Sequence, residues 1–287
     1  MPDTLGNMYQ TRKLADGYPG LERLAFKEYT RRVEERKDHR PALERLMTYL
    51  NRLVDLETNR NVVVVGCGPK PQTIAILRDL GYQARGVEPV PSFVESARQY
   101  LGSVDAVVAG AAEAMPLPDD SQHLVILESV LEHVDSPVRS LSEVYRVLAP
   151  GGLAYVTTTN WPRFTLVGRN GEFNVPFFNW FPGIVQECYV FQHLHYRPHL
   201  ANYTERPAVH WYSYNVLCKL GRQAGFAQFY ALVDLVREED PTIARAWLRR
   251  FMVSRLRSHP WVRALVLTQV GGSIIMLKRR CDRHPSA

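Results

Sequence analysis

The chain has 287 residues, 46% of them hydrophobic and 22% charged, which is ordinary for a globular protein and enough for one large α/β domain. Its net charge of +6 is concentrated near the C-terminus, because residues 241–287 contain ten basic side chains and one acidic side chain. The first 240 residues contain 25 basic and 28 acidic side chains. This uneven distribution argues against nucleic-acid binding by the whole surface.

The cysteines and the apolar segments favour a cytoplasmic location. Residues 1–20 are polar and do not have the apolar core of a signal peptide. Residues 264–277 form the longest apolar stretch, but polar residues and glycines interrupt it, and it is too short to span a bilayer. The cysteines are scattered without a CxxC pair, which argues against a disulfide framework and a zinc site; they are Cys67, Cys188, Cys218 and Cys281.

The N-terminal part of the chain predicts helices. Residues 21–56 are expected to form two of them, because Pro41 suits the first turn of a second helix. Apolar residues follow this proline at i, i+3, i+4 and i+7 spacing, which is typical of a helix with one buried face. We therefore interpret residues 1–58 as an N-terminal helical cap that packs on the rest of the fold.

Predicted strands and helices alternate from residue 59 onwards. Strands are expected near residues 62–66, 83–88, 105–109, 122–127 and 153–159, and helices near residues 70–80, 91–101 and 137–148. This alternation is typical of an α/β fold with a doubly wound, mostly parallel sheet. The Pro-Gly-Gly sequence at 150–152 predicts a tight turn before the fifth strand.

Residues 160–212 interrupt the alternation. The segment from 161 to 214 contains 14 of the chain's 30 aromatic residues. Beyond it we expect a helix near 213–224, a strand near 226–235, an Arg-rich helix near 241–257 and a last strand near 273–278. Residues 59–287 would then form one domain with a seven-stranded sheet and an aromatic-rich insertion after its fifth strand.

A nucleoside site is predicted at the first two strands. Four consecutive valines, Val62–Val65, are typical of a strand buried on both faces, and Gly66 and Gly68 follow it. Glycines in this turn allow the backbone to approach a ligand closely, and an acidic residue about 20 positions on, here Glu88, can accept hydrogen bonds from ribose hydroxyls. Pro71 stands where dinucleotide-binding proteins have a third glycine, which argues against NAD or FAD.

Five motifs occur in the order and at the spacings found in one large family. They are Val62–Lys70, Gly86–Glu88, Ala112–Ser121, Leu131–Val134 and Leu148–Gly152. Together they resemble the class I S-adenosylmethionine-dependent methyltransferases, especially the branch with ubiquinone and menaquinone biosynthesis enzymes and many small-molecule methyltransferases. The resemblance covers residues 60–160 and implies a Rossmann-like fold with S-adenosylmethionine as the cofactor.

The resemblance also implies contacts with that cofactor. It places the turn after the first strand at the methionyl part, the end of the second strand at the ribose, the loop 111–115 at the adenine and the end of the fourth strand at the sulfonium. The residues implied are Gly66, Cys67, Gly68, Glu88, Pro89, Ala112, Glu113 and Glu128.

Three positions depart from the family's pattern. Val64 replaces an acidic residue of the first strand, Lys70 replaces a third glycine, and Ala111 replaces an aspartate near the adenine, where Glu113 is close enough to substitute. These departures favour an alternative in which the chain is a non-catalytic relative that serves as a binding or scaffold protein.

His133 is the predicted catalytic base, because it follows the fourth strand near the expected position of the methyl group. Methyl transfer needs a nucleophile held in line and shielded from water, and a hydroxyl nucleophile also benefits from a base. In the alternative interpretation, Glu132 and His133 only stabilise a turn. A metal site formed by these two residues and Glu128 is disfavoured by their spacing, so no metal is predicted.

We predict a methyltransferase that transfers a methyl group from S-adenosylmethionine to an oxygen, or less readily to a nitrogen or carbon, of a small molecule, glycan or prenylated ring. Residues 160–212 would cover the acceptor. An RNA methyltransferase that uses the basic C-terminal part is a further alternative. Arginines interleaved with apolar residues in 241–263 also predict peripheral contact with an anionic membrane or an acidic partner. The oligomeric state stays open.

Overall fold

The computed structural model describes residues 39–158, 160, 178, 181–189, 210–241, 254–255, 259–270 and 272–279. The first helix of the predicted cap and most of the aromatic insertion lie outside these residues. So does most of the predicted Arg-rich helix near 241–257.

A mixed sheet forms the centre of the described part of the chain. Its seven strands lie in the order β3-β2-β1-β4-β5-β7-β6, and β7 is antiparallel to both of its neighbours whereas the other neighbouring pairs are parallel. The strands are β1 (Asn61–Val65), β2 (Gln83–Glu88), β3 (Val107–Ala109), β4 (Gln122–Glu128), β5 (Leu148–Thr157), β6 (Gln228–Tyr230) and β7 (Ser273–Leu277). This arrangement confirms the predicted doubly wound, mostly parallel, seven-stranded α/β fold.

Helices cover both faces of this sheet. In the described residues they are α1 (Arg40–Leu50), α2 (Gln72–Asp79), α3 (Pro91–Leu101), α4 (Pro137–Val147), α5 (Gly183–Tyr189), α6 (Tyr214–Gln223), α7 (Leu232–Leu235) and α8 (Pro260–Val270). Local sequence determines where several of these helices begin and end. The α4 helix has Pro137 at its first position, and the Ser136 hydroxyl before it accepts a hydrogen bond from the Arg139 amide. The α3 helix ends at Gly102, whose φ of 64° is left-handed.

The strand β1 separates two hydrophobic layers. Val63 and Val65 pack with apolar residues of α4 and α6, whereas Val62 and Val64 pack with those of α1, α2 and α3. All four valines are at most 5% exposed. The predicted second helix of the cap, now α1, thus packs on the sheet as expected, and the division of the chain at residue 58 stays a prediction.

Two expectations for the C-terminal part were wrong or incomplete. The strand predicted over 226–235 ends at Tyr230, because the Asp234 carboxylate accepts a hydrogen bond from the Ala231 amide at 2.8 Å and starts the short helix α7. The helix α8 was not predicted at all. Its apolar residues follow one another without a helical period, so the pattern gave no sign of a helix.

A partly buried ion pair fastens the loop after α1 to the segment after α7. Arg52 forms hydrogen bonds with both carboxylate oxygens of Asp240 and with the Leu235 carbonyl. The Asp240 carboxylate also accepts from the Arg237 amide at 2.8 Å, and Asp240 is 5% exposed. The guanidinium of Arg52 holds the pKa of Asp240 below its ordinary value of 3.8, so this carboxylate is charged in the folded protein at neutral pH.

We therefore expect Asp240→Asn to lower the free energy of unfolding at neutral pH by about 1–3 kcal/mol, because Arg52 loses a charged partner. The lowered pKa means that this contribution is complete above pH 3.8 and is lost as the pH falls through the lower pKa of the folded state. Urea unfolding at neutral pH and at pH 3 should show the difference from wild type shrinking at the lower pH. Glu239→Gln is the matched control, since the Glu239 side chain is 72% exposed and should change stability little. An equal loss for both variants would contradict this role of the ion pair.

Candidate active site

The turn after β1 is built from two glycines with left-handed backbone. Gly66 has φ of 64° and Gly68 has φ of 69°, a region that side chains rarely tolerate. The Gly66 amide donates to the Val87 carbonyl at 2.8 Å, and a Cβ atom at Gly66 would lie only 2.6 Å from Val130 Cγ2. The turn is therefore held closely between the ends of β2 and β4, at the carboxyl edge of the sheet where ligands of open α/β folds bind.

Glu88 joins this turn to the end of β2. Its carboxylate accepts a hydrogen bond from the Gly68 amide at 2.9 Å through Oε2 and from the Val90 amide at 3.1 Å through Oε1. The residue is only 4% exposed, so these charge-assisted bonds offset much of the cost of burying the carboxylate. A carboxylate can accept about four hydrogen bonds in all. The arrangement thus fits the ribose hydroxyls and methionyl part of S-adenosylmethionine.

Cys67 and Pro89 flank these groups in different ways. The Cys67 side chain is 6% exposed, and its Sγ would lie 2.6 Å from a Cβ atom added at Gly86, so the thiol points into the core. Burial raises the pKa of this thiol, and the nearby charge of Glu88 raises it further, so the sulfur stays protonated. Only the backbone of Cys67 is suited to contact the cofactor. Pro89 is exposed at the surface beyond Glu88.

The loop predicted to flank the adenine is tied to α4. Ala112 is 5% exposed, and the Glu113 carboxylate accepts from the amides of Asp135 at 2.8 Å and Ser136 at 3.4 Å. One oxygen of Glu113 therefore holds the start of α4 in place. Its predicted contact with adenine stays a prediction.

Arg146 holds residues 115–117, which continue this loop, and the sequence did not predict this role. Its guanidinium donates to the carbonyls of Met115 at 2.9 Å and Leu117 at 2.8 Å, and it pairs with Glu143 and Asp119. The Glu143 carboxylate also accepts from the Met115 amide at 3.0 Å, and its pKa is lowered chiefly by Arg146. The only local signal was the spacing of three residues between Glu143 and Arg146, which suits an ion pair on a helix.

The end of β4 is strained. Ser129 has φ of 55°, which is uncommon for a residue other than glycine and recurs at functional sites. Its amide donates to the Thr157 carbonyl at 2.9 Å, so the turn stays attached to β5. Glu128, predicted to lie near the sulfonium, is exposed at this edge.

Glu132 and His133 occupy different surroundings although they are neighbours in the chain. Glu132 is completely buried and accepts a hydrogen bond from the Thr158 hydroxyl at 2.7 Å, whereas His133 is half-buried and its amide donates to the Val130 carbonyl at 2.9 Å. Glu132 therefore stabilises the turn after β4. In the part of the chain that the structure describes, no three His, Cys, Asp or Glu side chains are arranged to hold a metal ion.

Both ends of the aromatic insertion meet this turn. Asn160 pairs with Tyr212 in an isolated parallel bridge, and the buried Tyr212 hydroxyl donates to the Leu131 carbonyl at 2.8 Å. His210 Nε2 lies 2.9 Å from the Val134 carbonyl, and burial lowers the pKa of this histidine, so a neutral ring donates the bond. The insertion thus leaves and rejoins the fold beside residues 131–134.

Comparisons with known proteins agree with this geometry. Residues 63–156 match the family model of the methyltransferase domain. Uncharacterized methyltransferases of Mycobacterium avium and Mycobacteroides abscessus are 34% identical over 103 residues and 37% identical over 106 residues, in each case 36% of this chain and 40% of the relative. The chain thus spans about two fifths of the length of the curated relatives that it matches.

A solved structure supports the fold alone. One chain in the complex of the Haloferax volcanii Trm112 methyltransferase activator is 18% identical, with a TM-score of 0.50, and the match covers 91% of this chain and 96% of that one. The quinone-biosynthesis branch suggested by the sequence stays a prediction. The match of residues 63–156 to the methyltransferase domain agrees with the sheet order, the glycine turn and the buried Glu88.

Proposed function

We propose that the protein transfers a methyl group from S-adenosylmethionine to an oxygen of a small-molecule acceptor, a class that includes glycans and prenylated rings. A nitrogen or carbon acceptor is the less favoured version. The proposal rests mainly on the buried Glu88 carboxylate, which is bonded to the Gly68 amide at the carboxyl edge of the sheet. A carboxylate at the end of the second strand suits a ligand with hydroxyl donors, and a ribose provides two of them.

The chain's own residues would bind the cofactor and order its surroundings. The backbone of Gly66 and Gly68 would contact the methionyl part, Glu88 would accept from the ribose hydroxyls, and the loop held by Arg146 would flank the adenine. When bound, S-adenosylmethionine supplies an electrophilic methyl group on its sulfonium. His133, half-buried in the turn after β4, would accept the proton of the acceptor hydroxyl on its imidazole nitrogen.

Two buried polar atoms at the ends of the aromatic insertion favour a polar acceptor beside the turn after β4. Asn160 Oδ1 and Trp211 Nε1 are buried without a hydrogen-bond partner among the described residues, and a buried polar atom in this state is costly. Phe178 is fully buried and its ring centroid lies 6.3 Å from that of Trp211. A ring or sugar with hydroxyl groups would offer a donor to Asn160 Oδ1 and an acceptor to Trp211 Nε1.

Glu88→Ala should weaken binding of S-adenosylmethionine by about 1–3 kcal/mol, or roughly 5- to 150-fold in Kd, because charge-assisted hydrogen bonds to the ribose are lost. Calorimetric titration with S-adenosylmethionine and S-adenosylhomocysteine measures this directly. Glu88→Gln keeps the shape of the side chain, and its Kd should lie between the Kd values of wild type and of Glu88→Ala. Glu95→Gln is the control, because the Glu95 side chain is 79% exposed on α3.

The same titration distinguishes the proposed methyltransferase from a non-catalytic relative. Micromolar binding by wild type with unchanged affinity in Glu88→Ala would refute the ribose assignment. Absence of binding of either compound to wild type would refute the proposed methyltransferase function and favour the non-catalytic relative, since Val64, Lys70 and Ala111 would then account for a lost site.

Arg146→Met should also weaken cofactor binding, by about 1–2 kcal/mol. The reason is that the carbonyls of Met115 and Leu117, in the loop proposed to flank the adenine, lose their donor. Arg139→Met is the control, since Arg139 is exposed on the same helix. Melting curves for both variants establish whether the fold is kept. An unchanged Kd in a folded Arg146→Met variant would mean that the loop does not need this clamp to bind the cofactor.

His133→Ala should reduce methyl transfer by about 10²-fold without changing the Kd for S-adenosylmethionine, because a positioned base contributes on this scale to the transfer step alone. Transfer would be followed with labelled methyl donor on an acceptor found by screening. An unchanged kcat would leave His133 with the structural role of stabilising the turn.

A further inference from the structure

The outward face of α8 is apolar, which is unusual for a helix on a protein surface. Pro260, Trp261, Ala264 and Leu265 are all exposed, with Trp261 at 68% and Leu265 at 62%. Their spacing places them on the same side of the helix. Surface helices normally present charged or polar residues to solvent. An apolar face held outward therefore indicates a contact surface.

The flank of α8 next to this strip fixes the helix to the domain. Leu267 is buried in the core layer that also contains residues of α4 and α6. Arg263 forms two hydrogen bonds of 2.7 Å with the Asp234 carboxylate, and its guanidinium lies 5.2 Å from the ring centroid of Tyr214. The charge of Arg263 is thus compensated, and Trp261 and Leu265 are held outward by a well-anchored helix.

Positive charge lies at the start of this face. Arg255 is exposed, and its Nη1 is 3.3 Å from His259 Nε2, while the His259 ring lies 6.1 Å from that of Trp261. The chain from residue 241 to its end has ten basic residues and one acidic residue. An apolar strip with an aromatic residue, on a segment whose sequence is rich in basic residues, has the chemistry of a helix that lies at the surface of an anionic membrane.

We propose that the α8 face, meaning Pro260, Trp261, Ala264 and Leu265, docks onto the surface of an anionic lipid bilayer. Trp261 and Leu265 enter the headgroup region, and Arg255 at the start of the face contacts lipid phosphates. Within the described residues no helix is long and apolar enough to cross a membrane. This attachment goes beyond the proposed methyl transfer.

A second copy of the chain fits this surface less well. A stable dimer buries about 800 Å² on each partner, whereas the α8 face consists of four residues of a single helix. Two copies would also bring together two C-terminal segments that both carry net positive charge. An acidic protein partner would match the charge, but it would also need a surface shaped to fit the narrow strip of Trp261 and Leu265. A bilayer needs no matching shape to accept these side chains.

Sedimentation with vesicles tests the proposal. The full chain should bind vesicles of phosphatidylglycerol and phosphatidylcholine, bind vesicles of phosphatidylcholine alone much more weakly, and dissociate as salt increases. The double variant Trp261→Ser with Leu265→Ser should bind the anionic vesicles about tenfold more weakly, because little apolar surface then enters the bilayer. Val104→Ser is the control, since Val104 is 70% exposed near β3.

Several outcomes would overturn the proposal. Equal binding of wild type to neutral and anionic vesicles, no binding to either, or equal binding of wild type and the double variant would each do so. A dimer of wild type in light scattering that the double variant abolishes would assign the face to a second copy instead. Melting curves of the double variant, together with its Kd for S-adenosylmethionine, verify that the loss is confined to the surface.

Discussion

The burial of β1 on both faces is the constraint on which the rest of the structure depends. Its four valines have no polar side to turn towards water, so the strand must lie inside the sheet with a layer of helices above and below it. That position gives β1 the neighbours β2 and β4. The carboxyl ends of these three strands therefore meet at one edge, and each provides one part of the site: the glycine turn, Glu88, and the strained turn at Ser129.

The site is held by hydrogen bonds between backbone and charged side chains more than by contacts among side chains alone. Glu88 holds the glycine turn, Glu113 holds the start of α4, and Arg146 holds the carbonyls of Met115 and Leu117. Charge-assisted bonds of this kind are stronger than neutral ones and fix direction as well as distance. They prearrange the loops, so that less conformational freedom has to be lost when a cofactor binds.

The turn after β4 connects the cofactor side of the protein to the proposed acceptor side. Glu132 faces inward to Thr158, and Tyr212 and His210 bond the carbonyls of the same turn. The aromatic insertion therefore begins and ends at a point that is already fixed to the sheet. His133, the proposed base, lies in this turn between the two sides.

The sequence by itself determined the mostly parallel character of the sheet, the glycine turn and the acidic residue at the end of β2, because periodicity, glycines and a spacing of 20 residues are local signals. It did not determine the helix α8, whose residues are apolar without a period, or the end of the strand at Tyr230, where a side-chain bond to the Ala231 amide starts a new turn. Only the tertiary structure decided which of two neighbours, Glu132 or His133, faces the core. Only it could bring Arg146 to the carbonyls of a loop some 30 residues away, since such contacts depend on how distant segments pack and leave no pattern in the chain.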